Sequence, residues 1–270
     1  IEGEGLGADA TTDFLALSFS STDYIGHGFG PRAIETEDTY LRLDQDLARL
    51  LNYLDNKVGK GEYVVFLTAD HGASDIPEFS QKHGFPGGEI PFKSLKRDLD
   101  TTLAEVFGTG KLVLYLDNEQ VYLNHDLIKE RGEDPEKISR VVVDFFLNVP
   151  GIANVFTAEE MRSFHKVDGT EKAIEQGFNV KRSGDILLLA DPGYMNKRKT
   201  GTTHGTGYAY DTHVPFLLYG KSVPKGTSVK RYSITDISPT LSMLLNIGLP
   251  SAATGNVIEE VFPLRIVHGN

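Results

Sequence analysis

Cysteine is absent from this 270-residue sequence, and methionine occurs only three times. Without a thiol there can be no disulfide, no thiolate metal site and no cysteine nucleophile, so any bound metal must be held by histidine and carboxylate. Long apolar runs are missing too. Nothing approaches the roughly 20 residues a bilayer-spanning helix needs, and no charged segment followed by an apolar stretch and a cleavage site opens the chain. The expectation is a chain with no membrane span. Positive charge is scarce: 27 Lys and Arg stand against 38 Asp and Glu, a net charge of −11. That balance repels a polyanion at long range and disfavours duplex nucleic acid as a partner. A small phosphate ester is not excluded, because metal ions among carboxylates reverse the local sign. Internal repeats, low-complexity tracts and a clean interdomain linker are also lacking.

What is present suits a folded α/β chain: 40% of the residues are hydrophobic, enough for a sizeable core at this length. Asp13 to Ser20 (DFLALSFS) reads as a buried strand running into a functional loop, the Ser-Ser-Thr-Asp cluster at 20 to 23. From Pro31 to about Val58 the apolar spacing becomes helical (Tyr40, Leu43, Leu47, Leu50, Leu51, Leu54), and Gly59 and Gly61 stop it. Tyr63 to Ala69 (YVVFLTA) is a nearly continuous apolar run, as in a strand covered on both faces. Strand, helix, strand with a long crossover implies a parallel pair. A loop over 76–91 and a helix over 93–107 follow. The run 111–123 reads as a hairpin turning at Asp117 and Asn118, and Asp134 caps a helix opening at Pro135 and reaching Asn148. Residues 185–190 and 213–219 read as strands, and 235–246 as a helix ended by Gly248 and Pro250. The division these runs suggest is a main body of 1–107 and 185–270, with a smaller α+β excursion over 108–184 that leaves the main sheet and returns.

The chemistry concentrates after two of the strands. Asp70-His71-Gly72 follows the run 63–69, where ligands gather beyond the carboxyl ends of strands in open α/β sheets. Asp23 and His27, four apart with Gly26 and Gly28 flanking the histidine, follow the run 13–20; the glycines let the backbone bend so that both side chains converge. His213 opens another strand beyond the Gly- and Thr-rich stretch at 201–208. Each motif alone is weak, since Asp and His are ordinary turn residues; their joint appearance after apolar strands points to a metal site. Three imidazoles and two carboxylates favour zinc over calcium or magnesium. His204, on the same loop as His213, reads as a supporting or substrate-side residue as readily as a ligand. His83, His125, His165 and His268 sit in polar or turn contexts and read as solvated; Tyr208 and Tyr210 read as packing residues.

The segments SFSSTDYIGHGFGP (18–31), EDTYLRLDQDLARLLNYLD (37–55), VVFLTADHGA (64–73) and THGTGYAYDTHVPFLLYG (203–220) resemble the alkaline phosphatase superfamily of two-zinc phosphohydrolases and phosphodiesterases. Within it they are most similar to the bacterial alkaline phosphatases with a threonine nucleophile. The resemblance implies the layered fold of that family, a central, largely parallel sheet flanked by helices, incomplete here on its N-terminal side. It implies that Asp23, His27 and His213 hold one zinc, and that Asp70 and His71 supply part of a second. The family completes the second site with another Asp and a Thr or Ser nucleophile from an N-terminal part; neither motif is visible here, and Thr11, Thr12 and Thr22 do not stand where the family places it. The chain therefore reads as the C-terminal, metal-binding portion of a phosphatase that hydrolyses phosphate monoesters through a covalent phosphoenzyme. On this reading it is inactive without its N-terminal part and is exported to the periplasm or cell exterior. A phosphodiesterase or nucleotide pyrophosphatase would share every ligand named. A reading from another class is a non-catalytic α/β interaction module whose clustered polar residues satisfy one another.

Overall fold

The computed structural model describes residues 1–163, 169–196, 198 and 200–262; His165 and His268 lie outside them. In chain order the elements begin with helix α1 (Ser21–Phe29), helix α2 (Ile34–Leu54), strand β1 (Val64–Thr68), helix α3 (Pro77–Lys82), strand β2 (Gly88–Ile90) and helix α4 (Phe92–Phe107). Next come strands β3 (Val113–Asp117) and β4 (Gln120–Leu123), helices α5 (His125–Arg131) and α6 (Pro135–Leu147), strand β5 (Ile152–Thr157), and helices α7 (Ala158–Ser163) and α8 (Gly169–Gly177). The remainder is strands β6 (Ile186–Ala190) and β7 (Tyr194–Asn196), helix α9 (Ala209–Thr212), strand β8 (Phe216–Gly220) and helix α10 (Ile237–Leu245).

The chain divides into two compact units, one of Ile1–Phe19, Leu41–Ala69 and Pro215–Asn270, the other of Ser20–Tyr40 and Asp70–Val214. The second unit holds the four-stranded antiparallel sheet β3-β4-β6-β5 and the parallel pair β2-β7. Its sheet follows from local sequence. β3 and β4 are joined by Asn118 and Glu119, both at positive φ (47° and 56°), the two-residue turn whose twist matches a hairpin. The turn sits one residue later than the sequence suggests. β6 is buried at all five positions, as an Ile-Leu-Leu-Leu-Ala run requires. α6 begins as expected, with the Asp134 carboxylate accepting from the Glu136 amide at 3.0 Å ahead of Pro135. Its face of Ile138, Val142 and Phe146 packs on β5 and β6, with Leu99 and Leu103 of α4 in the same core. Residues 108–184 thus do not stand as an excursion by themselves: their strands share a sheet with β6 and their core with α4.

The first unit contains the antiparallel ladder β1-β8, in register from Val64 opposite Gly220 to Thr68 opposite Phe216. Residues 13–20, expected as a strand, form none. An apolar run favours extended backbone, but a strand also needs a neighbour to take its N–H and C=O groups. β1 pairs only with β8 among the described strands, and the expected parallel pair with residues 13–20 is not made. The α/β class holds, with parallel and antiparallel pairs both present.

Candidate metal centre

Every residue of the candidate site lies in the second unit. The segment Ser-Ser-Thr-Asp, read as a loop, is instead the start of α1. Asp23 falls in its first turn, where a carboxylate suits the positive end of the helix, and His27 in its last. Helical periodicity puts residues four apart on one face, so the Asp23 Oδ1 atom lies 3.3 Å from His27 Nε2. The helix, rather than glycine-assisted bending, brings this pair together.

Two further rings converge on the same carboxylate oxygen. His204 Nε2 is 3.4 Å from Asp23 Oδ1 and His71 Nε2 is 3.9 Å from it. The His71 and His204 rings stack with centroids 3.3 Å apart, and His27 stands 5.0 Å from His204. The other nitrogens fix the tautomers. His27 Nδ1 donates to the Thr202 carbonyl at 2.9 Å, and His71 Nδ1 donates to the Gly72 carbonyl at 2.8 Å. A neutral ring whose Nδ1 carries the proton has a lone pair on Nε2. The Nε2 atoms thus face one carboxylate oxygen, and in the neutral form of the rings their lone pairs, with that oxygen, make a donor set that a divalent cation would bind. The ligand atoms of Asp23, His27 and His204 all lie within 4.8 Å of one another, a nitrogen and oxygen set suited to a transition-series divalent ion such as zinc. His204 is drawn below its ordinary titration range by burial and by His71, with Asp23 and more weakly Asp211 pulling the other way. The net effect favours its neutral form, the form that binds a metal.

Buried polar contacts lock the three ligand segments to one another. Thr202 is 1% exposed; its carbonyl takes the His27 proton, and its hydroxyl donates to the Ser74 carbonyl at 2.7 Å, three residues beyond His71. Two glycines allow the approach. A Cβ on Gly201, whose φ is +75°, would sit 2.1 Å from the His27 carbonyl oxygen; one on Gly72 would sit 2.1 Å from that of Tyr210. The Gly72 amide itself donates to the Asp211 carbonyl at 2.7 Å.

The structure does not bring every expected ligand to the group. Asp70 has a side chain 91% exposed, its Oδ2 3.7 Å from His71 Nε2. His213 is exposed at the end of α9, its amide bonded to the Ala209 carbonyl, and it lies outside the cluster. The ring that arrives in its place is His204. The reason is local: the Asp211 carboxylate accepts from the Gly205 and Thr206 amides and folds the loop so that His204 turns inward, while His213 stands at the C-terminal end of α9. One signal was available, since each clustered histidine precedes a glycine whereas His213 precedes a valine; His83, also followed by glycine, shows that it is not a specific one. His83 and His125 are exposed; His125 pairs with Asp185 at 2.7 Å. Tyr208 packs against the cluster of Phe156, Met161, Leu187 and Leu189 and donates to the Ala190 carbonyl, and the Tyr210 hydroxyl accepts from the Gly193 amide.

Residues 4–214 match the family model for type I phosphodiesterase / nucleotide pyrophosphatase. The chain is 40% identical over 262 residues to alkaline phosphatase PafA of Elizabethkingia meningoseptica, covering 97% of this chain and 48% of that protein. It is 41% identical over 261 residues to alkaline phosphatase PhoV of Synechococcus elongatus, covering 97% of this chain and 47% of the relative. A crystal structure of wild-type PafA superposes with a TM-score of 0.92 at 39% identity, over 97% of this chain and 50% of that one. Murine ectonucleotide pyrophosphatase / phosphodiesterase 5, at 19% identity and a TM-score of 0.58, shares the fold. The chain spans about half the length of the curated relatives it matches.

Proposed function

The chain belongs to the type I phosphodiesterase / nucleotide pyrophosphatase family, within the alkaline phosphatase superfamily, and from that premise we propose that it is the metal-binding portion of a zinc-dependent phosphatase acting on phosphate monoesters. The observation that carries this reading is the convergence of three Nε2 atoms on one carboxylate oxygen, at 3.3 to 3.9 Å. Asp23, His27 and His204 would hold one zinc; Asp70 and His71 would supply part of a second site. Zinc bound there supplies Lewis-acid stabilisation of phosphoryl oxygens and lowers the pKa of water. The chain's own residues orient the donors: Thr202 fixes the His27 tautomer, Gly72 and Gly201 allow the close approach, and Asp211 fastens the His204 loop.

The reaction is read as attack by a Thr or Ser with a covalent phosphoenzyme, and the partner supplying that nucleophile is read as an N-terminal part, in keeping with relatives about twice this length. Support comes from the first unit, where Phe14, Leu15, Leu17 and Phe19, with Leu217 and Tyr219 of β8, stand exposed. An apolar surface of that kind marks an interface. The family's exported phosphatases suggest the periplasm or cell exterior as its location. Hydrolysis of diesters is the second reading, favoured by the description of the family model; monoesters are preferred because the relatives near 40% identity are named alkaline phosphatases. A non-catalytic module is the alternative of another class, and it requires no metal.

The test is an assay of aryl phosphate and bis-aryl phosphate turnover, using the 270-residue chain and a chain extended upstream. The expected result is no turnover by the former, and by the latter a preference for the monoester that His204→Ala removes. Sustained, His204-dependent turnover by the 270-residue chain would overturn the division of labour; a preference for the diester would overturn the substrate class.

A further inference from the structure

Three histidines meet at the centre, but only two have an identified partner for the nitrogen that faces away from it. His27 and His71 donate Nδ1–H to the carbonyls of Thr202 and Gly72. Among the described residues no partner is found for His204 Nδ1. Metal-bound histidines nearly always donate their second nitrogen to a carboxylate or carbonyl, which fixes the ring and raises its basicity.

One buried side-chain atom has the matching deficit. Asp211 is 3% exposed, and its Oδ1 is the buried side-chain polar atom without a hydrogen-bond partner among the described residues. Its Oδ2 is fully used, accepting from the Gly205 amide at 3.1 Å, the Thr206 amide at 2.8 Å and the Thr206 hydroxyl at 2.7 Å. Gly205 is the residue directly after His204, so the carboxylate is held against the backbone of that ring. Both residues line the same cavity of about 250 Å³, with Ser74, Glu119 and Tyr210. Leaving a carboxylate oxygen dry and unpaired is costly, on the order of several kcal/mol for a charged group. A hydrogen bond from His204 Nδ1 to Asp211 Oδ1 would satisfy both the unpartnered donor and the unpartnered acceptor.

We propose that Asp211 is the positioning residue for His204, its Oδ1 accepting the Nδ1 proton of that ring so that Nε2 is presented to the metal. The inference rests on His204 being a ligand. Asp211 then has two duties: Oδ2 shapes the loop and Oδ1 sets the tautomer. The two can be separated. Asp211→Asn keeps an oxygen for the loop amides but sets an amide donor against His204 Nδ1, whereas Thr206→Val removes one loop contact and leaves Oδ1 untouched.

The experiment is nitrogen-15 NMR of the histidine rings in the metal-free 270-residue chain, combined with zinc affinity from competition with a chromophoric chelator. The expected result is a His204 protonated at Nδ1 in the parent and at Nε2 in Asp211→Asn. Zinc affinity should fall about 10- to 100-fold in Asp211→Asn and stay within about threefold in Thr206→Val. The inference is overturned if His204 carries its proton at Nε2 in the parent, or if Asp211→Asn leaves the tautomer and the zinc affinity unchanged. Equal loss of affinity in the two variants also overturns it, reducing Asp211 to a loop fastener. Should the parent bind no zinc at all, the metal-site reading fails, and the metal-free tautomer still decides the inference. That measurement needs no variant to fold.

Discussion

The two units of this chain differ in how they treat apolar residues. In the unit of Ser20–Tyr40 and Asp70–Val214, Leu99, Ile138, Val142, Phe146 and Ile186 are sealed in one core between helices and a four-stranded sheet. In the other unit the buried hydrophobic residues are Ile258 and Val261 alone among those described, while Phe14, Leu17, Leu217 and Ile247 are more than half exposed. A two-stranded ladder is marginal in water without a third strand or a covering layer. The candidate metal centre thus sits in the packed part of the chain, and the poorly covered part is where a covering layer would add stability.

The contrast can be broken most directly at its core. Phe146→Ala, which empties a fully buried position, is expected to cost about 3–5 kcal/mol, whereas Phe14→Ala should cost less than about 1 kcal/mol. Urea unfolding followed by circular dichroism compares them, and similar costs would erase the distinction. A smaller effect tests how the packed unit serves its site. Gly201→Ala places a methyl group 2.1 Å from the His27 carbonyl oxygen at a positive φ, and zinc affinity is expected to fall by about tenfold or more. Smaller again is Thr202→Val, which removes the hydroxyl bond to Ser74 but leaves the backbone carbonyl that orients His27. It should cost about 1–3 kcal/mol of stability, with less loss of zinc affinity than Gly201→Ala.

The smallest effect probes the exposed unit. Tyr63 is pushed up to about 12 by burial, by its hydrogen bond to Asp55 and by the charge of that carboxylate, against an ordinary value of about 10. The protonated form is thus favoured in the folded state, so its stabilisation is fully present below about pH 10 and is lost as pH rises towards 12. Tyr63→Phe should flatten that alkaline slope, as read from melting temperatures between pH 9 and pH 12.

Much of the packed unit was legible from sequence because its signals are local. Asp134 before Pro135 announces a helix, and the apolar run of β6 announces a strand buried on both faces. α1 was not legible: nine residues with two glycines and a Ser-Ser-Thr-Asp start carry turn composition, and helix propensity is a weak prior over so short a span. The strand expected at 13–20 failed for a different reason, since pairing depends on a neighbour that apolarity does not specify. At the centre, the motifs announced Asp23, His27 and His71, which converge. They did not show that Asp70 faces solvent, nor which of two histidines on one loop turns inward. That choice depends on Asp211 accepting from amides five and six residues earlier, a contact that residue type does not reveal.

On this reading Asp23, His27 and His204 make a site this chain completes by itself. Elemental analysis of protein purified without chelator, for the parent chain and for His204→Ala and His213→Ala, tests it most directly. One zinc per chain is expected in the parent and in His213→Ala, and none in His204→Ala; a parent without zinc, or loss in His213→Ala with retention in His204→Ala, would contradict this.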